Sequence, residues 1–384
     1  MVLKNKKIVI ATHVFIPGPS QDLRDYLLDK KTGRVLFIGH PLFYDPKLSG
    51  STVEIYEGRS KKFSKISDIK KEFYLFSYIK HFFLNIFWIL KSNYRWDGYF
   101  GYDALNALSG ILLKKIGKVE KVVYYVIDYN PKRFANPLVN KIFHLADKIC
   151  VLNCDETWNL SYRMEESRKE YFGVYGGHQK EVQIGIWYDR IKRLPFEEID
   201  KRTLVFSGWL IESKGVQHII SAIPRILEKI PSFKFIVIGK GEYADELKSL
   251  AKNLGVEKQV KFLGFVDDQE AVLCKCACAV ALYEKYDKGS LTYTYFTDPS
   301  KLKTYLACGL PIILTDVTHN AKDIEDKKCG VIIDLDKKSI SNAVVKILSS
   351  PGKLKEYREN AAKYAKNYDW NKLFEDNLSR VLGI

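Results

Sequence analysis

The densest chemistry in this chain lies where apolar runs give way to glycine and lysine. In LVFSGWLIESKGVQHIISAI, residues 204–223, a strand ends at Phe206, Ser207 and Gly208 turn out of it, and Lys214 and Gly215 open an amphipathic helix on Val216, Ile219, Ile220 and Ile223. A cation beside the free N–H groups of a helix start is a seat for a diphosphate, because ammonium and helix dipole both favour anions. The plainer alternative is a solvated lysine at a helix start. FIVIGKGEYADEL, residues 235–247, repeats the order strand, glycines, helix. There Gly239 and Gly241 let a ligand approach the backbone, without the spacing of a Walker loop. TDPSKLKTYLACGLPIILTD, residues 297–316, puts Pro299 at a helix start with Asp298 as N-cap candidate. Its N-terminus, with Ser300 and Lys301, is expected at the carboxyl edge of a sheet, where open α/β sheets bind ligands.

Such sites need strands followed by helices, and the chain supplies two series of them. KIVIAT, RVLFIG, DGYFGY, VVYYVID and KICVLN recur in the first half; TLVFSG, FKFIVIG, VKFLGF, CACAVALY, LPIILT and GVIID recur in the second. Short apolar runs alternating with amphipathic helices predict parallel sheets covered on both faces. The break is expected within 184–202, giving domains over 1–186 and 187–365. A closing helix over 366–384 carries an apolar stripe of Trp370, Leu373, Phe374 and Leu378 that needs a partner surface, for which the first domain is the candidate.

One segment stands apart. FYLFSYIKHFFLNIFWIL, residues 73–90, is aromatic and aliphatic except for Ser77, Lys80, His81 and Asn85, which share a helical face, and it is flanked by Lys70, Lys71, Lys91 and Arg95. An interior charge and a length under about 20 apolar residues disfavour a spanning helix. Two readings stay open: a helix packed in the first domain's core, or an interfacial helix with aromatics in lipid and lysines on anionic headgroups.

The 384 residues suit two domains. Seven scattered cysteines speak against a secreted disulfide framework and for a reducing cytoplasm. Cys274, Cys276 and Cys278 alternate along one run and are expected as core residues on one side of it. The dispersed histidines form no metal constellation in the sequence, so no metal or other cofactor is expected. The start, MVLKNKKIVIATHVF, has too short an apolar run for a signal and is expected as the first strand. A net charge of +15 implies an anionic partner. Basic residues spread over both halves with no recognised module argue against nucleic acid.

Taken together, SGWLIESKG, KFLGFVDD, the PSKL…ACGLPII stretch and the closing YDW helix resemble the C-terminal half of the family-four retaining GT-B glycosyltransferases over roughly residues 200–380. The resemblance implies two Rossmann-like domains facing across a cleft, the first holding an acceptor and the second a UDP- or GDP-linked sugar. It places Lys214 on the donor diphosphate, Gly208 in the turn before it, and Phe265 and Val266 along the nucleobase. It places Pro299, Ser300, Lys301 and Leu302 at the phosphates and ribose. Gly239 joins the donor-binding candidates from its strand–glycine–helix turn. Two departures stand out. Trp209 occupies the position of the family's phosphate arginine, and the paired glutamates fall at Phe296 and Thr304, leaving Thr304 as a weaker ribose partner.

In the first domain, Gly18 and Ser20 are candidates for the turn facing the donor phosphates, an ordinary Pro-Gly loop being the alternative. Asp128, at a strand's carboxyl end, is the acceptor-side catalytic candidate beside Lys214, with loop capping as its alternative role. His13, Lys132 and Arg133 are the acceptor-binding candidates, the last two for a pyrophosphate. The expected function is metal-independent, retaining transfer of a sugar from a nucleotide donor to a glycan or lipid-linked acceptor at the cytoplasmic membrane face. The alternative is a non-catalytic GT-B module that binds a sugar nucleotide or a partner protein.

Overall fold

The computed structural model describes residues 3–13, 18–41, 50–68 and 74–384. They form two units, Met1–Gln183 with Trp370–Ile384, and Ile184–Asp369.

The first unit runs β1 (Lys7–Thr12), α1 (Pro19–Asp29), β2 (Arg34–Gly39), β3 (Gly50–Glu57), β4 (Ser60–Asp68), α2 (Tyr74–Lys91), β5 (Trp96–Tyr102), α3 (Ala104–Lys115), β6 (Val119–Val126), α4 (Pro137–Asn153), β7 (Glu156–Asn159), α5 (Tyr162–Phe172) and β8 (Gln179–Glu181). The sheet order is β4-β3-β2-β1-β5-β6-β7-β8. β3 pairs antiparallel with both neighbours, while β1 lies parallel between β2 and β5. The chain therefore reverses direction across the sheet between β1 and β5, and the carboxyl ends of those strands frame the usual ligand position.

The second unit runs β9 (Thr203–Ser207), α6 (Val216–Leu227), β10 (Lys234–Ile238), α7 (Ala244–Asn253), β11 (Val260–Gly264), α8 (Gln269–Leu273), β12 (Cys278–Ala281), the short pair β13 (Tyr286–Asp287) and β14 (Ser290–Leu291), α9 (Tyr293–Phe296), α10 (Ser300–Ala307), β15 (Ile312–Leu314), α11 (Ala321–Asp326), β16 (Gly330–Ile332), α12 (Lys337–Leu348) and α13 (Pro351–Ala365). Its parallel sheet, β11-β10-β9-β12-β15-β16, reverses between β9 and β12. Ile219, Ile220 and Ile223 of α6 are fully buried on one face of the sheet; Leu302, Tyr305 and Leu306 of α10 are buried on the other. The last helix, α14 (Trp370–Leu382), belongs to the first unit. There Phe374 packs on Tyr26 of α1, and Arg380 holds Glu156 with two bonds of 2.7 and 2.8 Å.

Several sequence expectations change. KICVLN is the end of α4, not a strand; the strand after it is ETWN. The apolar run misleads because Leu138, Ile142, Leu145, Ile149 and Leu152 continue through it at steps of four and three, a helical period. The hairpin β3–β4 was absent from the expected strands, since its polar, half-exposed sequence has no apolar run. Cys274, Cys276 and Cys278 are buried, but not on one side: Cys274 caps α8, and Cys278 joins a different core cluster from the other two. Asp334-Leu335-Asp336, an Asp-x-Asp spacing in the sequence, is a helix start in which Asp336 accepts from the backbone N–H groups of Lys338 and Ser339.

One buried ion pair governs the first unit. Arg168 of α5, with no exposed surface, donates to both carboxylate oxygens of Asp147 at 2.7 and 2.9 Å, and to Asn159 and Gln179. The Tyr124 hydroxyl also donates to Asp147. Removing one partner strands the other charge in the interior, so Asp147→Ala is expected to cost about 3–5 kcal/mol in urea unfolding.

Candidate functional site

In the second unit the elements around the β9/β12 reversal gather two ammonium groups. The Ser207 backbone N–H donates to the Tyr305 hydroxyl at 2.7 Å, and the Ser207 hydroxyl to Gln269. These bonds fix the exit from β9. Gly208 then adopts φ 151° and Gly239, beyond β10, φ 136°. A Cβ on Gly208 would stand 2.7 Å from the Lys301 Nζ, and one on Gly239 would collide with the Gly208 carbonyl. Both positions need glycine for their backbone angle, and Gly239 needs it for space as well.

Lys301, in the first turn of α10, lays its Nζ 4.4 Å from the centre of the Phe206 ring and 5.8 Å from that of Tyr283. Lys214 brings its Nζ to 5.6 Å from the Tyr283 ring. Among the described residues no carboxylate pairs with either lysine, and the Lys301 Nζ is buried without a hydrogen-bond acceptor. Burial, then the neighbouring Lys214 charge, push the Lys301 ammonium down to about 7. Burial also lowers Lys214. Two cations held together without a counter-ion are electrostatically unfavourable unless an anion joins them.

The other donor candidates lie around this pair in different states. Trp209 and Phe265 are 60% and 70% exposed, after β9 and β11, and the Trp209 indole N–H donates to Glu242 at 3.3 Å. Val266 packs partly into the core. The Leu302 side chain is wholly buried, so only its backbone can meet a ligand. Pro299 is the N-cap residue of α10, with no side-chain cap. Asp298 does not cap the helix as expected. Its carboxylate turns inward to a fully buried ion pair with Lys303, and accepts from the Ile184 N–H at 2.9 Å. The Thr304 hydroxyl bonds back to the Ser300 carbonyl at 3.5 Å, and Phe296 is buried.

In the first unit three histidines, far apart in sequence, converge. His13 follows β1, His40 follows β2, and His81 lies on α2. The His13 Nδ1 is 2.5 Å from Asp103, its Nε2 3.1 Å from the His81 Nδ1, and His40 stacks on His81 at 4.3 Å between centroids. Asn85 bonds His40, Asn106 and Ser109. Burial, then His13, then Lys80, lower His81 to about 3; burial, His13 and His81 lower His40 far below its ordinary value. Asp103 holds φ 107° while capping α3. His13 was a sequence candidate; His40, His81 and Asp103 were not, because no spacing links them.

This cluster draws the polar stripe of α2 into the core, where Trp88 and Ile89 of the same helix are buried too. Its polar stripe, Ser77, His81 and Asn85, is buried, while Ile79, Phe83, Phe87 and Leu90 are exposed. Neither sequence reading anticipated a polar face serving as the core face. Lys70, Lys71 and Phe73 lie outside the described residues. Gly18 precedes α1 in extended backbone, and Ser20 is buried with its hydroxyl on Gln21. Asp128 sits just beyond β6 in an ion pair with Arg133, whose guanidinium also lies 5.5 Å from the Phe143 ring. The Lys132 backbone N–H donates to Asn130.

Residues 189–368 match the family model of glycosyl transferases group 1. An uncharacterized glycosyltransferase of Methanocaldococcus jannaschii is 29% identical over 215 residues, which cover 54% of this chain and 52% of that protein. The N-acetylgalactosamine-N,N'-diacetylbacillosaminyl-diphospho-undecaprenol 4-alpha-N-acetylgalactosaminyltransferase of Campylobacter jejuni is 27% identical over 176 residues, 44% of each. The chain thus spans about half the length of the curated relatives it matches. Sucrose-phosphate synthase from Thermosynechococcus elongatus, 15% identical, has the same fold, with a TM-score of 0.69 over 98% of both chains. The two units thus have the fold of a GT-B glycosyltransferase, and residues 189–368 match the group 1 glycosyl transferases.

Proposed function

We propose that this chain transfers a sugar from a UDP- or GDP-linked donor to a glycan or lipid-linked acceptor at the cytoplasmic face of a membrane, with retention and without a metal. The observation that carries the donor half is the Lys214–Lys301 pair. As the bond from sugar C1 to the β-phosphate oxygen breaks, its electron pair stays on that oxygen, and two preset ammonium groups meet the growing charge with no reorganisation. The α6 and α10 starts add backbone N–H groups. Lys301 supplies a cation where Trp209 has displaced the family's arginine. Gly208, Gly239, Phe265, Val266, Pro299, Ser300, Leu302 and Thr304 complete the donor assignment.

The acceptor assignment rests on the first unit. His13, held by Asp103 at the β1/β5 reversal, is proposed to bind the acceptor, with Lys132 and Arg133 near its diphosphate and Asp128 beside its hydroxyl. The Campylobacter relative is named for a diphospho-undecaprenol substrate, which favours a lipid-linked class here. The exposed aromatic face of α2, with Lys80 and Lys91 on the same helix, suits an anionic interface. No described helix is long and apolar enough to cross a membrane.

The buried Phe296 and back-bonded Thr304 favour a second reading, a module that binds a sugar nucleotide without turnover. A thermal-shift screen of UDP, GDP and ADP and their sugar conjugates, with Lys214→Ala alongside, tests the donor site. One nucleotide is expected to raise the melting temperature selectively, with the shift lost in the variant. Release of free nucleotide from the sugar conjugate then separates enzyme from binding module. No shift with any nucleotide overturns both readings.

A further inference from the structure

One side of the first unit's sheet is covered by three helices that share an apolar outer face. On β5, Gly98 faces Leu382 of α14 and the next residue, Tyr99, faces Gly110 of α3. Successive strand residues point to opposite faces, so α14 and α3 lie on opposite sides of the sheet. α2 packs on α3, and α3 on α4, which sets these three side by side in one layer. Each exposes an apolar stripe: Ile79, Phe83, Phe87 and Leu90 on α2, Leu112 and Ile116 at the end of α3, and six residues from Leu138 to Leu152 on α4. These make up 12 of the 22 large apolar side chains exposed among the described residues. Apolar side chains exposed singly are ordinary surface, but a gathering of this size marks an interaction site.

The charges on the layer choose its occupant. Of the 384 residues 46 are acidic, yet the 18, 12 and 17 residues of α2, α3 and α4 carry one carboxylate between them, Asp147. That one is buried on Arg168. The same helices carry Lys80, Lys91, Lys115, Lys141 and Lys148, none of them buried. The Lys91 Nζ lies 5.6 Å from the centre of the Phe87 ring and 5.2 Å from that of Trp88, a cation carried on aromatic surface in the manner of a snorkelling lysine. A second copy of this layer would set lysine against lysine. An anionic bilayer supplies what both kinds of residue need, an acyl boundary for the aromatics and phosphates for the ammonium groups. Three helices at about 8–10 Å between axes also suit an extended plane better than a single docked helix.

We propose that the outward faces of α2, α3 and α4 together form the docking surface for an anionic phospholipid membrane. The inference rests on the membrane-face reading above and gives it an anchor three helices wide. The layer also borders the acceptor residues, because α3 is capped by Asp103, which holds His13. A lipid-linked diphosphate in that membrane then lies beside the edge of the sheet to which the acceptor is assigned.

Co-sedimentation of the full chain with vesicles of phosphatidylcholine, alone or mixed with phosphatidylglycerol and without donor or acceptor, tests this. The wild type is expected to pellet with the mixed vesicles, and less so at high salt or with phosphatidylcholine alone. Leu145→Glu on α4 and Phe83→Glu on α2 should each weaken the partition about tenfold or more. Exchanging Lys141 and Lys148 for glutamine should weaken it about fivefold per lysine. Near-UV circular dichroism confirms that each variant is folded; if Leu145→Glu is not, Leu138→Glu, at the exposed start of the same stripe, replaces it. A wild type that stays in the supernatant overturns the proposal. So does a partition weakened in Phe83→Glu but unchanged in Leu145→Glu, which would confine docking to α2. Self-association in sedimentation velocity that Leu145→Glu abolishes, with no vesicle binding, overturns it in favour of a protein surface. Docking and transfer fail separately. A chain that pellets but answers no nucleotide in the thermal-shift screen keeps its docking surface and loses the transferase reading. One that releases nucleotide from a donor but never pellets loses the docking surface and keeps the transferase reading.

Discussion

Lys301→Met is expected to raise the melting temperature of the free protein while weakening its response to nucleotide diphosphates. The Lys301 ammonium is buried against Phe206 and Tyr283 with no acceptor, and its fall from 10.5 to about 7 corresponds to roughly 4–5 kcal/mol disfavouring the charged form. The contact with Phe206 returns about 0.5–2 kcal/mol as a cation–π interaction. Desolvation wins. Methionine keeps most of the stem's volume and removes the charge, so the melting temperature should rise by several degrees, at about 2–4 °C per kcal/mol for a domain of this size.

The gain has a definite pH dependence. The folded value lies below the unfolded one, so the penalty is fully present below about pH 7 and disappears as pH rises towards 10.5. The stability difference between variant and wild type should therefore be largest at pH 6 and small near pH 10. Nucleotide affinity should fall about ten- to a hundredfold, the worth of one charge-assisted hydrogen bond at about 1.5–3 kcal/mol. A variant less stable than wild type at pH 6 would mean that Lys301 has a counter-ion and that the pair is not an anion seat.

What could be seen in advance follows from the range of each interaction. Lys214, Gly208 and Lys301 each sit at a strand-to-helix junction, and such junctions are written in a few consecutive residues. The repeated strand and helix rhythm carries the two-unit α/β fold in the same local way. Contacts set by the third dimension were not legible. His13, His40 and His81 meet only because β1 and β2 are neighbours and α2 lies over their ends. Nothing within FYLFSYIKHFFLNIFWIL tells which face will be covered. Composition alone would bury the aromatics, yet the polar stripe has partners waiting in His13, His40 and Asn106. Asp298 failed as a helix cap for a related reason: the residue that claims it, Lys303, is one turn further on and wholly buried, and a buried ammonium needs a carboxylate more than a helix end does. KICVLN shows the converse, since a six-residue window hides a period that the seventeen residues of α4 display.

Donor binding should take up a proton, and its affinity should weaken as pH rises. In the free protein Lys301 is about half neutral near pH 7. A diphosphate placed between Lys301 and Lys214 supplies the missing counter-charge, which raises the value in the complex towards or above that of an ordinary lysine. Linkage then fixes the sign. Below the free value both states carry the proton and affinity is flat; between the free and bound values each unit of pH weakens binding by up to about tenfold, or 1.4 kcal/mol. From pH 7 to pH 9 the loss should be about fiftyfold. The Lys214 ammonium, also lowered by burial, contributes in the same direction. Titration calorimetry at pH 8 in buffers of different ionisation enthalpy measures the uptake directly, and close to one proton is expected for the wild type. Lys301→Met should take up markedly less and show a flatter affinity profile. A wild type that binds the nucleotide with no proton uptake would place its diphosphate away from Lys301, because a half-neutral buried ammonium cannot gain an anion without recharging.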